Sequence, residues 1–184
     1  MDVISSVLRG FIIPAEGHDL LVADFSAIEA RGLAWLAGEE KVLQAFRDDE
    51  DPYCLAAQDI YGHKVTKKEH PDKRQVGKVV VLACGYQGSV GAFQAMAKGY
   101  GVKVEDKEAL KIVKAWRAAN ENIVAYWKAC EDAAITAVQN PNTKVPAGPA
   151  GRQVTYMKRG SFLWCRLPSG RTLSYPYPKL VPYV

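Results

Sequence analysis

The pattern of apolar and polar positions along this 184-residue chain predicts one strand, a helical body and a small β region. The run FIIPAEGHDLLVADFS predicts an extended segment, a Pro/Gly turn and then a buried strand at Leu20–Asp24. Helical spacing follows in AIEARGLAWLAGEEKVLQAF, where Gly38 is expected to break the helix. The fold class that this pattern indicates is α+β, mainly helical.

The middle of the chain carries clear helix start and stop signals. DPYCLAAQDIYG predicts a helix with Asp51 as its N-cap and Pro52 at its first position. Asp72 is expected to cap a helix that covers RQVGKVVVLACGYQG, residues 74–88. The stretch VEDKEALKIVKAWRAANENIVAYWKACEDAAITAVQ predicts two helices that meet near Asn120–Asn122.

After Gln139 the helical spacing of apolar residues ends, and short apolar runs separated by proline and glycine follow. NPNTKVPAGPAG is rich in proline and glycine and is expected to be a loop. RQVTYMKRG and SFLWCRLPSGRTLSYP predict short strands, and the turn Leu167–Arg171 joins the last two as a hairpin.

Composition narrows the range of functions only slightly. The formal net charge of +4 permits a nucleic-acid partner without requiring one. Acids prevail from Glu39 to Asp59, whereas bases prevail from Lys64 to Lys78. The four cysteines show no CxxC spacing and the three histidines no cluster, which favours free thiols and argues against structural zinc. Without an 18-residue apolar run or a signal pattern, a cytoplasmic protein with no membrane contact is expected.

One helical stripe carries candidate chemistry. Each step of four residues advances a helix by about 6 Å and turns it about 40° past a full turn. Such steps separate the residues of the stripe, which are Arg74, Lys78, Leu82 and Tyr86. The order of two cations, an apolar residue and a phenol suits a nucleoside triphosphate, with phosphates at one end and a base at the other. The alternative is a core helix whose cations extend to solvent.

A second candidate is VADFSAIEAR, residues 22–31. Asp24 falls at the carboxyl end of the predicted strand, and Glu29 follows where a helix begins. Carboxylates in that arrangement can bind Mg²⁺ through oxygen ligands. The alternative is that Asp24 is a helix N-cap and Glu29 an exposed partner of the helix dipole.

Together these stretches resemble the A-family DNA polymerases, the bacterial polymerase I type and its phage relatives. DFSAIEAR resembles their motif A, and RQVGKVVVLACGYQG resembles their motif B, an Arg–x3–Lys–x7–Tyr helix. Four further runs resemble family segments in the family's order: LRGFIIPAEGHDLLVADFS, DPYCLAAQDIYG, GYGVKVEDKEALKIVKAW with VAYWKACEDAA, and GRTLSYP. The resemblance covers most of the chain.

The resemblance implies a role for each matching residue. Asp24, with the backbone carbonyl of Phe25, matches the position that binds both catalytic Mg²⁺ ions. Glu29 matches the steric gate that closes the space of a ribose 2′-hydroxyl. Arg74 and Lys78 match the cations that bind the incoming triphosphate, and Lys78 is also placed among the catalytic residues.

Other positions match the family less closely. Tyr86 matches the tyrosine that packs near the template base, and Arg31 matches an arginine that is expected to be structural. Leu82 stands where the family usually has a phenylalanine or tyrosine against the sugar. Tyr53 stands where many members have a phosphate-contacting histidine. Residues 140–169 exceed the family's usual connection, which suggests a phage-like branch.

The implied function is DNA-templated addition of deoxynucleotides to a primer 3′ end by two-metal phosphoryl transfer. Its partners would be primer–template DNA and dNTP. The expected divisions are a partial palm at 1–38, fingers at 39–139 and a loop with a β-hairpin returning toward the palm at 140–184. No His-Asp-Glu motif C is present, so a fragment that needs the missing thumb and motif C palm segments, and that is inactive alone, is expected.

Two other functions compete with this interpretation. A single-subunit RNA polymerase is disfavoured by Glu29, because a ribonucleotide enzyme must leave the 2′ side of the sugar open. A non-catalytic nucleic-acid-binding module with a polymerase-like fold fits the missing motif C. It does not explain why five residues that match the family are retained together: Asp24, Glu29, Arg74, Lys78 and Tyr86.

Overall fold

The computed structural model describes residues 7–181 and confirms an α+β chain that is mainly helical. Residues 1–6 and 182–184, the outer ends of the first and last expected divisions, lie outside the described residues. A short 3₁₀ helix at Leu8–Phe11 comes first. The α-helices are α1 Ile28–Ala37, α2 Glu40–Arg47, α3 Pro52–Tyr61, α4 Pro71–Cys84, α5 Val90–Gly99, α6 Asp106–Ala119 and α7 Glu121–Gln139. The strands are β1 Val145–Ala147, β2 Val154–Arg159, β3 Phe162–Arg166 and β4 Thr172–Pro176.

The predicted break at Gly38 separates α1 from α2, and a contact with α7 holds it in place. Gly38 ends α1 with a φ of 73°, a left-handed conformation that glycine adopts without strain. The next residue, Glu39, is buried, and its carboxylate accepts hydrogen bonds from the backbone N–H of Asn122 at 3.1 Å and its side-chain amide at 3.4 Å. The Glu39 carboxylate therefore accepts from an N–H group in the first turn of α7, where backbone N–H groups have no partner within the helix.

Helices α3 and α4 pack so closely that their backbones are in contact. Asp51 caps α3 as predicted, because its Oδ1 accepts the N–H groups of Tyr53 at 2.9 Å and Cys54 at 3.3 Å. On α4, a Cβ added at Gly77 would overlap the carbonyl oxygen of Tyr53 and lie 3.1 Å from the backbone nitrogen of Ala57. Only glycine permits this contact between the two helices.

The main core forms where α4 meets α5, α6 and α7. Val79, Val80 and Phe93 are among its fully buried side chains. Trp116 of α6 stacks on Trp127 of α7 with ring centroids 6.1 Å apart. The predicted division near residue 120 is confirmed, since α6 ends at Ala119 and α7 begins at Glu121.

The sheet is an antiparallel meander in chain order, β1-β2-β3-β4. The predicted hairpin turn is confirmed by the hydrogen bond from Leu167 N–H to Arg171 O at 2.8 Å. One face of the sheet, including Val154 and Cys165, packs with Ala133 of α7 in a second core. Strand β1 lies in the segment expected to be a loop, and the prediction missed it because three residues with a central proline carry too weak a pattern.

The predicted buried strand Leu20–Asp24 is wrong. Residues 18–25 carry no strand, and Leu21 and Val22 are 97% and 94% exposed. Within residues 7–181 no segment pairs with this run, and a strand requires a hydrogen-bonded neighbour whatever its apolar content. The apolar composition of residues 18–25 therefore indicates a segment that can pack or pair with another surface, but it does not specify that partner.

Three smaller differences concern two helix ends and one helix that was not predicted. The N-cap position of α4 is His70, while Asp72 lies in the first turn, where its charge favours the helix dipole. Helix α4 ends at Cys84, so Tyr86 lies in the turn beyond it. Helix α5 follows in a segment to which the pattern assigned no element.

None of the helices in residues 7–181 is both long and apolar enough to cross a membrane.

Replacing Gly77 by alanine should destabilise the fold. The added methyl group forces α3 and α4 apart, and overpacking of this kind costs about 1–3 kcal/mol. Urea unfolding followed by circular dichroism measures the loss. The matched control is Gly91→Ala in α5, where a Cβ meets nothing within 4 Å and helix propensity improves by up to about 1 kcal/mol. Equal free energies of unfolding for the two variants would contradict the close contact.

Candidate functional site

A cavity of about 400 Å³ lies between α1, α3 and the C-terminal half of α4. Four of the predicted site residues line this one space: Glu29, Tyr53, Leu82 and Tyr86. The remaining wall is largely apolar and includes Leu33, Leu36, Val81, Trp116 and Ile123. The cavity thus combines an apolar interior with a few polar groups, which is the usual composition of a small-molecule site.

Glu29 and Tyr86 are two of the polar residues in the cavity wall. Ala27 precedes α1 with a left-handed φ of 48°, and Glu29 lies in the helix's first turn, which brings its carboxylate to the helix N-terminus. The neighbouring Glu29 carboxylate is the main cause that raises the pKa of the Tyr86 phenol, and some desolvation adds to the rise. Tyr86 is 70% exposed, so its ring lines the cavity from the solvent side.

Arg74 and Lys78 are not among the residues that line the cavity; they lie earlier on α4 than the lining residue Leu82, in a stretch that we call the rim. Arg74 is held by the residue that caps α3. Its Nε donates to Asp51 Oδ2 at 2.6 Å, while Asp51 Oδ1 is engaged in the cap. The Arg74 guanidinium carbon is 5.2 Å from the ring centroid of Tyr53, a cation–π distance. One carboxylate therefore positions both the start of α3 and the Arg74 side chain.

Lys78 lies one turn further along α4. Its Nζ is 4.7 Å from the ring centroid of Tyr100, which follows α5. Tyr53 connects this rim to the cavity. Burial is the largest cause that raises its pKa, the Arg74 charge opposes the rise, and the charges of Asp51, Tyr100 and Glu29 add to it. The geometric link between the rim and the cavity is the contact of Arg74 with Tyr53, which lines the cavity, whereas Lys78 contacts Tyr100.

Arg31 has the structural role that was expected. Its Nε donates to the carbonyl of Ser26 at 2.9 Å, and its guanidinium lies 4.0 Å from the ring centroid of Phe46 on α2. These contacts fix the turn before α1 and join α1 to α2.

Asp24 and Phe25 are not among the residues that line the cavity. Both are exposed on the unpaired segment before α1. Among residues 7–181 no group of three or more His, Cys, Asp or Glu side chains could hold a metal ion. Mg²⁺ requires six oxygen ligands in near-octahedral geometry, and Asp24 with one backbone carbonyl supplies few of them. The described residues alone therefore do not form a magnesium site.

Three residues contact or support residues of the site although the sequence pattern did not predict these contacts. Asp51 was predicted only as a cap, and nothing in the pattern associates Tyr100 with Lys78. Arg117 of α6 donates from Nη2 to the carbonyls of Gly88 at 3.1 Å and Gln87 at 3.5 Å. It thereby anchors the turn that carries Tyr86, an arrangement that only the packing of α6 on α4 creates.

Comparison with known proteins gives concordant matches. The family model described as DNA polymerase family A matches residues 3–142. A DNA polymerase of Bacillus phage SP02 is 41% identical over 97% of this chain and 27% of its own length. DNA polymerase I of Pseudomonas aeruginosa is 32% identical over 65% of this chain and 12% of its own length. DNA polymerase I of Aquifex aeolicus is 32% identical over 55% of this chain and 18% of its own length. The chain thus spans about a quarter or less of these relatives.

Loss of Asp51 should cost more stability than loss of Asp72. Asp51→Ala removes both the cap of α3 and the partner of Arg74, and a lost cap alone costs about 0.5–2 kcal/mol. Asp51→Asn keeps an oxygen for the cap and should lose less. Asp72→Ala is the control, because Asp72 is exposed in the first turn of α4. Denaturant unfolding decides the order, and a larger loss in Asp72→Ala would contradict the role of Asp51.

Proposed function

Because the chain belongs to DNA polymerase family A, we propose that it supplies the nucleotide-binding part of a DNA-directed DNA polymerase. The observation that carries the proposal is the juxtaposition of Glu29, Tyr53, Leu82 and Tyr86 around one cavity with Arg74 at its rim. Residues that the family resemblance assigns to the deoxynucleotide are thereby neighbours in space, although they come from three different helices and a turn.

The incoming dNTP would lie along α4. The guanidinium of Arg74 can bind phosphate oxygens bidentately, and Lys78 adds a point charge one turn further along the helix. Leu82 would contact the sugar, and the ring of Tyr86 would lie near the base pair. Tyr53 replaces the family's histidine, so it can donate one hydrogen bond to a phosphate but adds no charge.

Sugar selection is assigned to Glu29. Glu29 lines the cavity together with Leu82 and Tyr86, where its carboxylate would occupy the space of a 2′-hydroxyl. A deoxyribose leaves this space to the carboxylate, whereas the 2′-hydroxyl of a ribose would have to displace it. The proposed preference is therefore for deoxynucleotides.

In the reaction we assign, a primer 3′-hydroxyl attacks the α-phosphate and pyrophosphate leaves. Arg74 and Lys78 would neutralise charge that develops on the phosphates, so the contribution of this chain is positioning and electrostatic stabilisation. When bound, two Mg²⁺ ions supply Lewis-acid chemistry in such enzymes. Asp24 and the carbonyl of Phe25 are assigned as contributors to that metal site. Since the described residues do not complete it, the chain alone should bind dNTP without polymerising it.

The partners follow from the same proposal. Primer–template DNA and dNTP are the assigned substrates, with the cytoplasm as the assigned location. The exposed apolar run before α1, which includes Ile13, Leu21 and Val22, is assigned as the contact surface for the thumb and motif C palm segments of a polymerase. The divisions 1–38, 39–139 and 140–184 are retained as partial palm, fingers and a returning β segment.

Arg74→Ala and Lys78→Ala should each weaken dATP binding by this chain by about tenfold or more, since a hydrogen bond to a charged group is worth about 1.5–3 kcal/mol. Isothermal titration calorimetry with dATP and Mg²⁺ measures the affinity. Lys107→Ala, which removes an exposed cation of α6, is the matched control and should bind as the parent chain does. Unchanged affinity in both rim variants would refute the proposed triphosphate site.

Glu29→Ala should relax sugar selection. Removing the carboxylate opens the 2′ side, so the ratio of dATP to ATP affinity should fall by about tenfold while dATP affinity changes little. The same calorimetric titration with both nucleotides measures the ratio, and Glu50→Ala provides an exposed acidic control. If the ratio in Glu29→Ala equals that of the parent chain, the gate assignment is wrong.

A further inference from the structure

The sheet has an outer face that α7 does not cover. Residues directly opposite in antiparallel strands share a face, and the register places Met157 opposite Trp164 and Trp164 opposite Ser174. Val154 and Cys165, which pack in the core with α7, belong to the other face. The outer sheet face is made of Pro146, Thr155, Met157, Arg159, Phe162, Trp164, Arg166, Thr172, Ser174 and Pro176.

This outer sheet face is a shallow depression of about 670 Å³ with aromatic rings among cations. Lys144, Arg159 and Arg166 are exposed and line it together with Trp164. Phe162 is 38% exposed, and its ring centroid lies 5.5 Å from that of Trp164. Two adjacent ring systems are therefore presented to solvent between positive charges.

The charge of this region is one-sided. Residues 140–184 contain seven of the 24 lysines and arginines and none of the 20 acids, which gives this segment +7 and the remainder of the chain −3. Within residues 7–181, none of the three cations of the depression has a carboxylate within 4.0 Å. An ordinary solvent-facing sheet surface carries both signs interspersed, so the accumulation of uncompensated cations points to a polyanionic ligand.

We propose that the outer sheet face binds single-stranded DNA. Trp164 and Phe162 stack on bases, while Lys144, Arg159 and Arg166 contact phosphates. A single strand fits better than a duplex because its base faces are free to stack, whereas a duplex presents its backbone. This surface is separate from the cavity, and residues 145–176 lie beyond the match to the family model, so the binding is an addition to the proposed nucleotide site.

The test is fluorescence anisotropy of a labelled oligo(dT) of about 12 nucleotides, within the usual site size of such surfaces, titrated with this chain at several salt concentrations. Arg159→Gln/Arg166→Gln should weaken binding at least about tenfold and reduce the salt slope by about 1.4, since each lost phosphate contact removes about 0.7. Trp164→Ala should weaken binding about tenfold and Trp164→Phe much less, because phenylalanine keeps a stacking face.

The matched control is Lys107→Gln/Lys111→Gln, which removes two exposed cations of α6 and should leave oligo(dT) binding unchanged. The arginine pair is exposed, so its replacement tests the proposal even if Trp164→Ala does not fold. Parent-like binding by the arginine variant, an equal loss in the control, or duplex DNA bound as tightly as oligo(dT) would overturn the proposal.

A further variant separates this proposal from that of the nucleotide site. Arg74→Ala/Lys78→Ala should bind oligo(dT) like the parent chain, because neither residue belongs to the outer sheet face. Loss of oligo(dT) binding in this variant would place the strand on α4 and overturn the assignment to the sheet. Parent-like oligo(dT) binding supports the assignment, whatever the result of the dATP titration.

Discussion

The backbone contact of α3 with α4 at Gly77 is the constraint on which the site depends. Because Gly77 has no side chain, the carbonyl of Tyr53 can occupy the space beside it. Arg74, about one turn earlier on α4, then reaches the Asp51 that caps α3. Leu82, further along α4, lies in the cavity wall. A residue with no chemistry of its own thus determines where the cation, the acid and the apolar wall stand relative to one another.

The polar groups of the site are arranged as internal pairs. Asp51 accepts from Arg74 and fixes the direction of its side chain, while Glu29 and Tyr86 lie together in the cavity wall. Such pairing preorganises a site because little rotamer freedom remains to be lost on binding. Asp24 contrasts with these residues, because it lies on an exposed segment that no strand in residues 7–181 supports.

Features governed by short-range chemistry could be predicted from the sequence, while those created by packing could not. The Asp51–Pro52 helix start, the break at Gly38 and the hairpin turn each depend on a few adjacent residues. The strand at Leu20–Asp24 failed because pairing is a property of two segments and composition describes only one. The partners of Arg74 and Lys78 likewise depend on how helices cross, which apolar spacing along one helix does not encode.

Helix α7 belongs to both cores of the molecule. Its 19 residues extend about 28 Å, with Ile123 in the main core and Ala133 beneath the sheet. If this helix unfolds, both cores lose buried side chains. The buried Glu39 then also loses the N–H groups of Asn122 that it binds. The helical body and the sheet are thus coupled in unfolding, and heat should denature the chain in one cooperative transition instead of two.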